Sequence, residues 1–207
     1  MIIAVDGPTA SGKGTVARAL ARHYGLPHLD TGLLYRAVGY QVARLGGDPD
    51  EAGTALAATR FPDDLLADPE LRSEATGGLA SRVSVHPAVR QALYERQRAF
   101  ALQPGGAVLD GRDIGTVIAP EAEAKLFVTA SVAARAARRF REMRESGREV
   151  ELADIMADLA ARDERDRNRA EAPLREAEGA HVLDTSEMTV DEAIAAAIAA
   201  VEHARGD

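Results

Sequence analysis

Gly7-Pro8-Thr9-Ala10-Ser11-Gly12-Lys13-Gly14-Thr15 decides the fold of this 207-residue chain. Ahead of it, Ile2-Ile3-Ala4-Val5-Asp6 is an apolar run that reads as a buried strand. Behind it, Val16 to Tyr24 carries apolar residues at helical spacing and stops at Gly25. Strand, glycine-framed loop, Gly-Lys and helix together make a phosphate-binding P-loop in the context it requires. Glycines let backbone N–H groups turn inward on a polyphosphate, and the helix N-terminus adds a positive dipole end. All nine residues, Gly7 to Thr15, are therefore assigned to the phosphates of a nucleoside triphosphate, with Lys13 bringing a full charge to the β- and γ-phosphates.

One position departs from the common pattern. Where Ser or Thr usually follows the lysine to ligate Mg²⁺, this chain has Gly14, and the hydroxyl comes one residue later at Thr15. Gly-Lys-Gly-Thr resembles the loop of nucleoside-monophosphate kinases more than that of GTPases or motor ATPases. Magnesium is then expected to be held largely through nucleotide and water, with Thr15 as the candidate protein ligand.

The totals narrow the class. The chain is long enough for one good core, its apolar and charged fractions are ordinary for a globular protein, and no apolar run approaches 18 residues. It opens straight into a core strand, so no signal peptide is expected. The absence of cysteine removes disulfides, thiol nucleophiles and cysteine-based metal sites, and a cytoplasmic location is the default. A net charge of −8 argues against nucleic acid as a partner. Of the 25 basic residues only Lys13 and Lys125 are lysine. Guanidinium forks suit oxyanions, but a G+C-rich genome also explains the excess, so position must decide.

Along the chain, Leu26 to Asp30 reads as a short strand, and Thr31 as the cap of a helix over Leu33–Leu45. Asp50 to Thr59 suggests a short helix. Phe61 to Gly78 is acidic and turn-rich, an expected excursion off the core, with helix returning near Leu79. Pro87 opens a helix whose apolar side holds Val89, Leu93 and Phe100. Strands follow at Ala107–Asp110, Lys125–Thr129 and His181–Asp184, with arginine-rich helices at Ser131–Ser146 and Leu152–Arg169. Thr189 to Glu192 is a capping box, and the closing helix has an expected stripe of Val190, Ile194, Ile198 and Val201. Short strands alternating with helices predict an α/β fold, a parallel sheet covered on both faces. Ligands gather outside the carboxyl ends of such strands. Three of them end in Leu-Asp, at Asp30, Asp110 and Asp184, although Asp there also caps turns.

A P-loop specifies a nucleotide, not a reaction, so the question is whether other anion donors face it. Arg112 follows Asp110 closely and should project from the sheet rim. Arg162, Asp166 and Arg169 share one helical face, with Arg165 beside them, and Arg135, Arg138 and Arg139 cluster on the preceding helix. Six arginines against two glutamates between Ser131 and Arg148 suit a lid over phosphates. Alternatively the helices are solvated, with Arg165 and Arg167 paired among Asp163, Glu164 and Asp166.

Six segments carry a resemblance. Asp6-Gly7-Pro8, Gly12 to Thr15, Leu29-Asp30-Thr31-Gly32 with Tyr35-Arg36, Arg96 to Phe100, Asp110 to Val117, and Arg165 to Ala170 with Ala172-Pro173-Leu174 resemble the bacterial cytidylate kinases, in that family's order. Asp-Gly-Arg-Asp and Arg-Asp-Arg-Asn-Arg are more specific than the P-loop. The resemblance implies one P-loop kinase domain over 1–207, with a central parallel sheet between helical layers, and ATP and CMP or dCMP as substrates of a monomer. It implies that Arg36, Arg112 and Arg169 bind the acceptor phosphate, and that Ser81, Arg90 and Asp113 face cytosine. Arg162 and Asp166 would face the sugar or nearby phosphate, and Arg138 and Arg139 would reach the transferring group from a lid region at about 131–170. Thr31 stands where that family often has Ser, adding a methyl near the acceptor. The acceptor-binding insert, at about 60–80, looks reduced, with few candidates for a β-hairpin.

The chemistry agrees. A phosphate monoester is largely dianionic at neutral pH, so it attacks without a general base. None of His23, His28, His86, His181 and His203 lies in a catalytic pattern. A carboxylate such as Asp113 accepts from cytosine N4 but faces an acceptor in uracil, which predicts CMP and dCMP over UMP. Kinases of UMP, AMP or shikimate are the nearest alternatives. A P-loop switch is a further one, although the chain has no Asn-Lys-x-Asp motif.

Overall fold

The computed structural model describes residues 1–206. Five strands, β1 (Ile2–Asp6), β2 (His28–Asp30), β3 (Ala107–Gly111), β4 (Ala124–Thr129) and β5 (His181–Asp184), form one sheet in the order β2-β3-β1-β4-β5. β1 is central because its residues are buried on both faces, as its unbroken apolar run requires. It pairs in parallel with β3 and β4, and β4 pairs in parallel with β5. The register sets Asp6 opposite Gly111 and Phe127, and Thr129 opposite Asp184, so the carboxyl ends of these four strands finish within two residues of one another.

Eight helices accompany the sheet: α1 (Lys13–Tyr24), α2 (Thr31–Arg44), α3 (Ala52–Ala57), α4 (Glu74–Val83), α5 (Pro87–Ala101), α6 (Val132–Glu145), α7 (Leu152–Asn168) and α8 (Val190–Arg205). The chain divides into two compact units, residues 1–28 with 101–207, and Leu29–Phe100.

In the first unit, Val16 and Leu20 of α1 and Ala193, Ala197 and Val201 of α8 pack on Ile3, Val5, Leu126, Val128 and Leu183. The capping box opens α8 as expected, with Thr189 and Glu192 bonded reciprocally. Its buried stripe matches expectation at Val201, and at Ile198, which packs partly buried on the core, and differs elsewhere. Val190 is 61% exposed, and Ala193, Ala197 and Ala200 lead the buried face with Val201. Alanine permits close approach of helix to sheet, so choosing only the bulkiest side chains misses the alanines that centre the face. α6 and α7 pack on each other through Ala136, Ile155 and Leu159, and Ala10 of the P-loop joins that cluster.

The second unit has its own core, in which Leu34, Val38 and Val42 of α2 meet Val83, Val89 and Leu93. α2 and α4 cross at Gly39, where a Cβ would lie 2.7 Å from Leu79 Cβ. Phe61 to Gly78 contributes nothing to the sheet core, as expected of an excursion, but it is not a solvated one. Phe61, Leu65 and Leu71 are buried in it, while Asp63, Asp64, Asp68 and Glu70 between them keep the segment polar in composition. Two short 3₁₀ turns, Asp63–Ala67 and Pro69–Arg72, carry it, and α4 starts at Glu74 under a Ser73 cap, earlier than Leu79. Among the described residues no strand, hence no hairpin, occurs between Thr31 and Gly106. Thr31 is the first residue of α2 rather than its cap, since Asp30 holds the N-cap position without a side-chain cap bond.

Candidate active site

The P-loop leaves β1 and enters α1 through backbone conformations that its sequence was built to allow. A Cβ on Gly7 would lie 2.0 Å from the Val128 carbonyl oxygen of β4, so no side chain fits there. Gly12 (φ 89°) turns left-handed at the helix N-cap, as does Ala10 (φ 62°) two residues earlier. Gly12 has no side chain to take up the first-turn N–H groups, the arrangement that serves oxyanions. Pro8 and Ser11 are buried, and Lys13, half-buried, directs its Nζ within 3.5 Å of the Pro8 carbonyl. Thr15 is exposed on the first turn and accepts from Arg18 Nη2 at 3.4 Å. At Gly14 a Cβ would stand 3.6 Å from Asp110 Oδ2, so the missing hydroxyl position faces a carboxylate.

The three rim aspartates separate. Asp110 is buried, with His28 Nε2 2.7 Å from its Oδ1. Asp184 is exposed and accepts from the Ser186 N–H and hydroxyl, which holds its carboxyl below the usual range. Asp30 sits at the start of α2, 3.9 Å from Arg72.

After β3 the chain makes a short π-helical turn over Ile114–Ile118, seated on Asp6. The Asp6 carboxylate accepts from the Ile114 and Gly115 N–H groups, both at 2.8 Å. Burial pushes its pKa up to about 7; the two N–H groups and Arg112 pull it down, and nearby Asp113 pushes it further up. Just ahead of that turn stand Arg112 and Asp113. Arg112 donates from Nε to Asp166 Oδ2 at 2.8 Å and from Nη2 to Thr9 Oγ1 at 2.7 Å. Asp113 is buried 3.8 Å from Arg169 Nη2, and Arg169 Nε donates to the Ala172 carbonyl at 2.6 Å. The residue expected at the base and one expected at the phosphate are thus neighbours.

The arginine-rich helices are not solvated rods. Arg135 of α6 and Asp163 of α7 form a pair in which each side chain is 2% exposed. Arg135 also donates to the carbonyls of Thr9 at 3.0 Å and Ala130 at 2.9 Å. Arg138 donates to both the hydroxyl and the carbonyl of Thr185, and the Thr185 hydroxyl donates to the Ser11 carbonyl at 3.0 Å. Arg139 is half-buried on the same helix. Arg162 is buried with its Nε 3.0 Å from Asp158. The expected pairing within α7 is a minor one. Arg167 lies 3.9 Å from Asp163, whereas Asp163 and Asp166 make their short bonds to Arg135 and Arg112 on other segments. Sequence reasoning gave no site role to Asp6, Asp163 or Thr185. The signals were available: a strand-end carboxylate, an acid one turn before Asp166, and a hydroxyl directly after Leu-Asp.

The remaining nominated residues belong to the second unit. Thr31 is buried at the start of α2. Arg36 donates from Nη1 to the carbonyls of Leu71 and Ser73, both at 2.8 Å. Ser81 is half-buried on α4, and its carbonyl accepts from Ser84 Oγ at 3.0 Å. Arg90 is buried, 5.6 Å above the Tyr35 ring and 3.4 Å from the Ser84 carbonyl.

Among the described residues no group of three or more His, Cys, Asp or Glu side chains could hold a metal ion unaided. The donors at the loop, the Thr15 hydroxyl and the Asp110 carboxylate, are oxygens. They fit a hard cation that arrives on phosphates and keeps several waters.

A phosphate loop on the central strand of a parallel sheet, ringed by arginines from a neighbouring strand end and a helix pair, defines a P-loop nucleotide-binding protein. Comparison with known proteins narrows this. The cytidylate kinase family model matches residues 3–203. Curated cytidylate kinases from Xanthobacter autotrophicus and Caulobacter sp. (strain K31) are 57% and 56% identical, with 99% of this chain aligned to 99% and 95% of theirs. A solved structure of an uncharacterised protein from Eubacterium ventriosum superposes with a TM-score of 0.54 over 98% of both chains, at 15% identity, a likeness of fold. The chain belongs to the cytidylate kinase family. No helix among the described residues is long and apolar enough to cross a membrane.

Proposed function

We infer that the protein transfers the γ-phosphoryl group of ATP to CMP and dCMP, yielding ADP with CDP or dCDP. The observation that carries a transferase reading, beyond ATP binding, is the bond between Arg112 and the P-loop. Its Nη2 lies 2.7 Å from Thr9 Oγ1, so an oxyanion-binding side chain outside the loop is built against the loop itself.

A phosphate oxygen of CMP forms a bond to the γ-phosphorus, while the bond from that phosphorus to the β,γ-bridging oxygen breaks. The acceptor is already dianionic, so no proton need be removed first. The protein's task is to hold two anions together and spread charge over the transferring oxygens. Loop N–H groups and Lys13 take the donor phosphates. Arg36, Arg112 and Arg169 take the acceptor phosphate, Arg138 and Arg139 the transferring group, and Arg162 with Asp166 the sugar side. Magnesium, brought by the nucleotide and held through Thr15, Asp110 and water, would add further charge neutralisation. Thr31, Ser81, Arg90 and Asp113 select the acceptor. A carboxylate that accepts from cytosine N4 is left against O4 in uracil, a mismatch worth about 1–3 kcal/mol, or roughly tenfold to a hundredfold.

Phosphorylation of a nucleoside-monophosphate panel by MgATP tests this. CMP and dCMP should exceed UMP by at least about tenfold in kcat/KM, with AMP lower still. Equal turnover of UMP and CMP contradicts the assignment of the base site, and ATP binding without transfer to any monophosphate contradicts the function.

A further inference from the structure

One residue of the P-loop is bonded on both of its sides by arginines from elsewhere. Thr9 Oγ1 accepts from Arg112 Nη2 at 2.7 Å, and the Thr9 carbonyl accepts from Arg135 Nη1 at 3.0 Å. Arg112 leaves the end of β3 and Arg135 stands in the first turns of α6. Both are held at their other edges by α7, through Asp166 and Asp163, carboxylates one turn apart. The run Asp163–Arg135–Thr9–Arg112–Asp166 balances two positive against two negative charges. It joins the donor loop, the tail of β3 and both helices of the arginine-rich pair.

We propose that Thr9 is a positioning residue that couples the donor site to the acceptor site. The Thr9 hydroxyl fixes Nη2 of the Arg112 guanidinium, Asp166 fixes Nε, and the Gly111 carbonyl accepts from Nη1 at a longer 3.3 Å. Of these three bonds, the one to Thr9 ties the plane of the fork to the donor loop. The backbone carrying this hydroxyl is the same backbone that wraps the triphosphate, so phosphates that order the loop also order Arg112. Coupling of this kind is reciprocal: whatever factor the donor nucleotide adds to CMP affinity, CMP adds to donor affinity. The loop has no steric need for threonine here, since Thr9 is half-exposed and its φ is not left-handed. Valine has the same shape and lacks only the hydroxyl.

This rests on the reading of Arg112 as an acceptor-phosphate ligand, and the experiment separates the two. CMP is titrated calorimetrically into the full-length enzyme with and without the magnesium complex of the β,γ-imido analogue of ATP, for wild type, Thr9→Val, Thr9→Ser and Arg112→Ala. The wild type should bind CMP more tightly when the analogue is present. Thr9→Val should lose at least about fivefold of that enhancement, read as the ratio of its CMP affinities at saturating analogue and without analogue, the range typical of a coupling free energy. Thr9→Ser should restore it. Arg112→Ala should bind CMP weakly under both conditions. Undiminished coupling in Thr9→Val beside weak CMP binding by Arg112→Ala overturns the role of Thr9 and leaves that of Arg112 intact. No coupling in the wild type likewise overturns the role of Thr9. Normal CMP binding by Arg112→Ala removes the reading beneath both.

Discussion

The P-loop and the α6–α7 pair, the two regions proposed to serve oxyanions, are built in opposite ways. The loop is local. Nine consecutive residues supply it, and the donors proposed for it are backbone N–H groups and one lysine, on a backbone where Gly7 leaves no room for a side chain and Gly12 turns left-handed. The helix pair is distributed. Two of its arginines and one of its carboxylates are held by partners far away in sequence, Arg135 by Asp163 and Thr9, Arg138 by Thr185, and Asp166 by Arg112, while Arg162 keeps a local partner in Asp158. Charges that look alike in composition therefore do different work. A loop mutation should affect binding directly, and a helix mutation should act first on architecture.

The sharpest break of this contrast is a pair of substitutions. Lys13→Ala should lower kcat by about 10²–10³-fold, as removing a preorganised electrostatic donor does. Its stability to urea should stay within about 1 kcal/mol of wild type, because the side chain is only half-buried. Asp163→Ala should do the reverse. It leaves Arg135 buried without its carboxylate, and a loss of about 3–5 kcal/mol of stability is expected. The combined Arg135→Met, Asp163→Leu variant should recover most of that loss by urea denaturation, because an apolar pair has no charge to strand. Equal stability of Asp163→Ala and wild type would make the pair incidental and the helices mere surface.

A smaller effect concerns the seat of the β3 tail. Asp6 has a folded pKa near 7 against an ordinary 3.8, so the native protein binds more protons than the unfolded chain between those values. Stability must then fall as pH rises through that window, by at most about 1.4 kcal/mol per pH unit, and level off above it. The exposed carboxylates of Asp184, Glu192 and Glu51 are shifted downward instead, and their contribution fades only as pH drops below about 4.5. Denaturation of wild type and Asp6→Asn at pH 5, 6, 7 and 8 separates the two. The wild type should lose stability relative to the variant as pH rises, and parallel curves would show that Asp6 does not titrate there.

Much of the fold was legible because it is local. The apolar run of β1, the Gly-Lys loop, Pro87 at the start of α5 and the Thr189–Glu192 capping box each declare themselves within a few residues. What was misread depends on partners distant in sequence. The polar look of residues 61–78 hid Phe61, Leu65 and Leu71, whose burial is decided by α2 and α5. The stripe of α8 was set by how closely alanine lets it approach the sheet. In the site, Arg112 and Asp166 were legible as charged residues at a strand end and on a helix face. That they would meet across 54 residues, with Thr9 on the same guanidinium, was not. Nor could composition tell that Asp163 would make its short bonds to the buried Arg135 and keep only a 3.9 Å approach from Arg167.

The central claim is that an arginine bonded to the donor loop serves the acceptor and not ATP. The direct test is Arg112→Ala, with steady-state transfer to CMP and equilibrium binding of ATP measured on one preparation. The account predicts that kcat/KM for CMP falls by about 10²–10³-fold while the Kd for ATP moves by less than about threefold. Unchanged transfer to CMP, or a loss of ATP affinity as large as the loss of transfer, would contradict it.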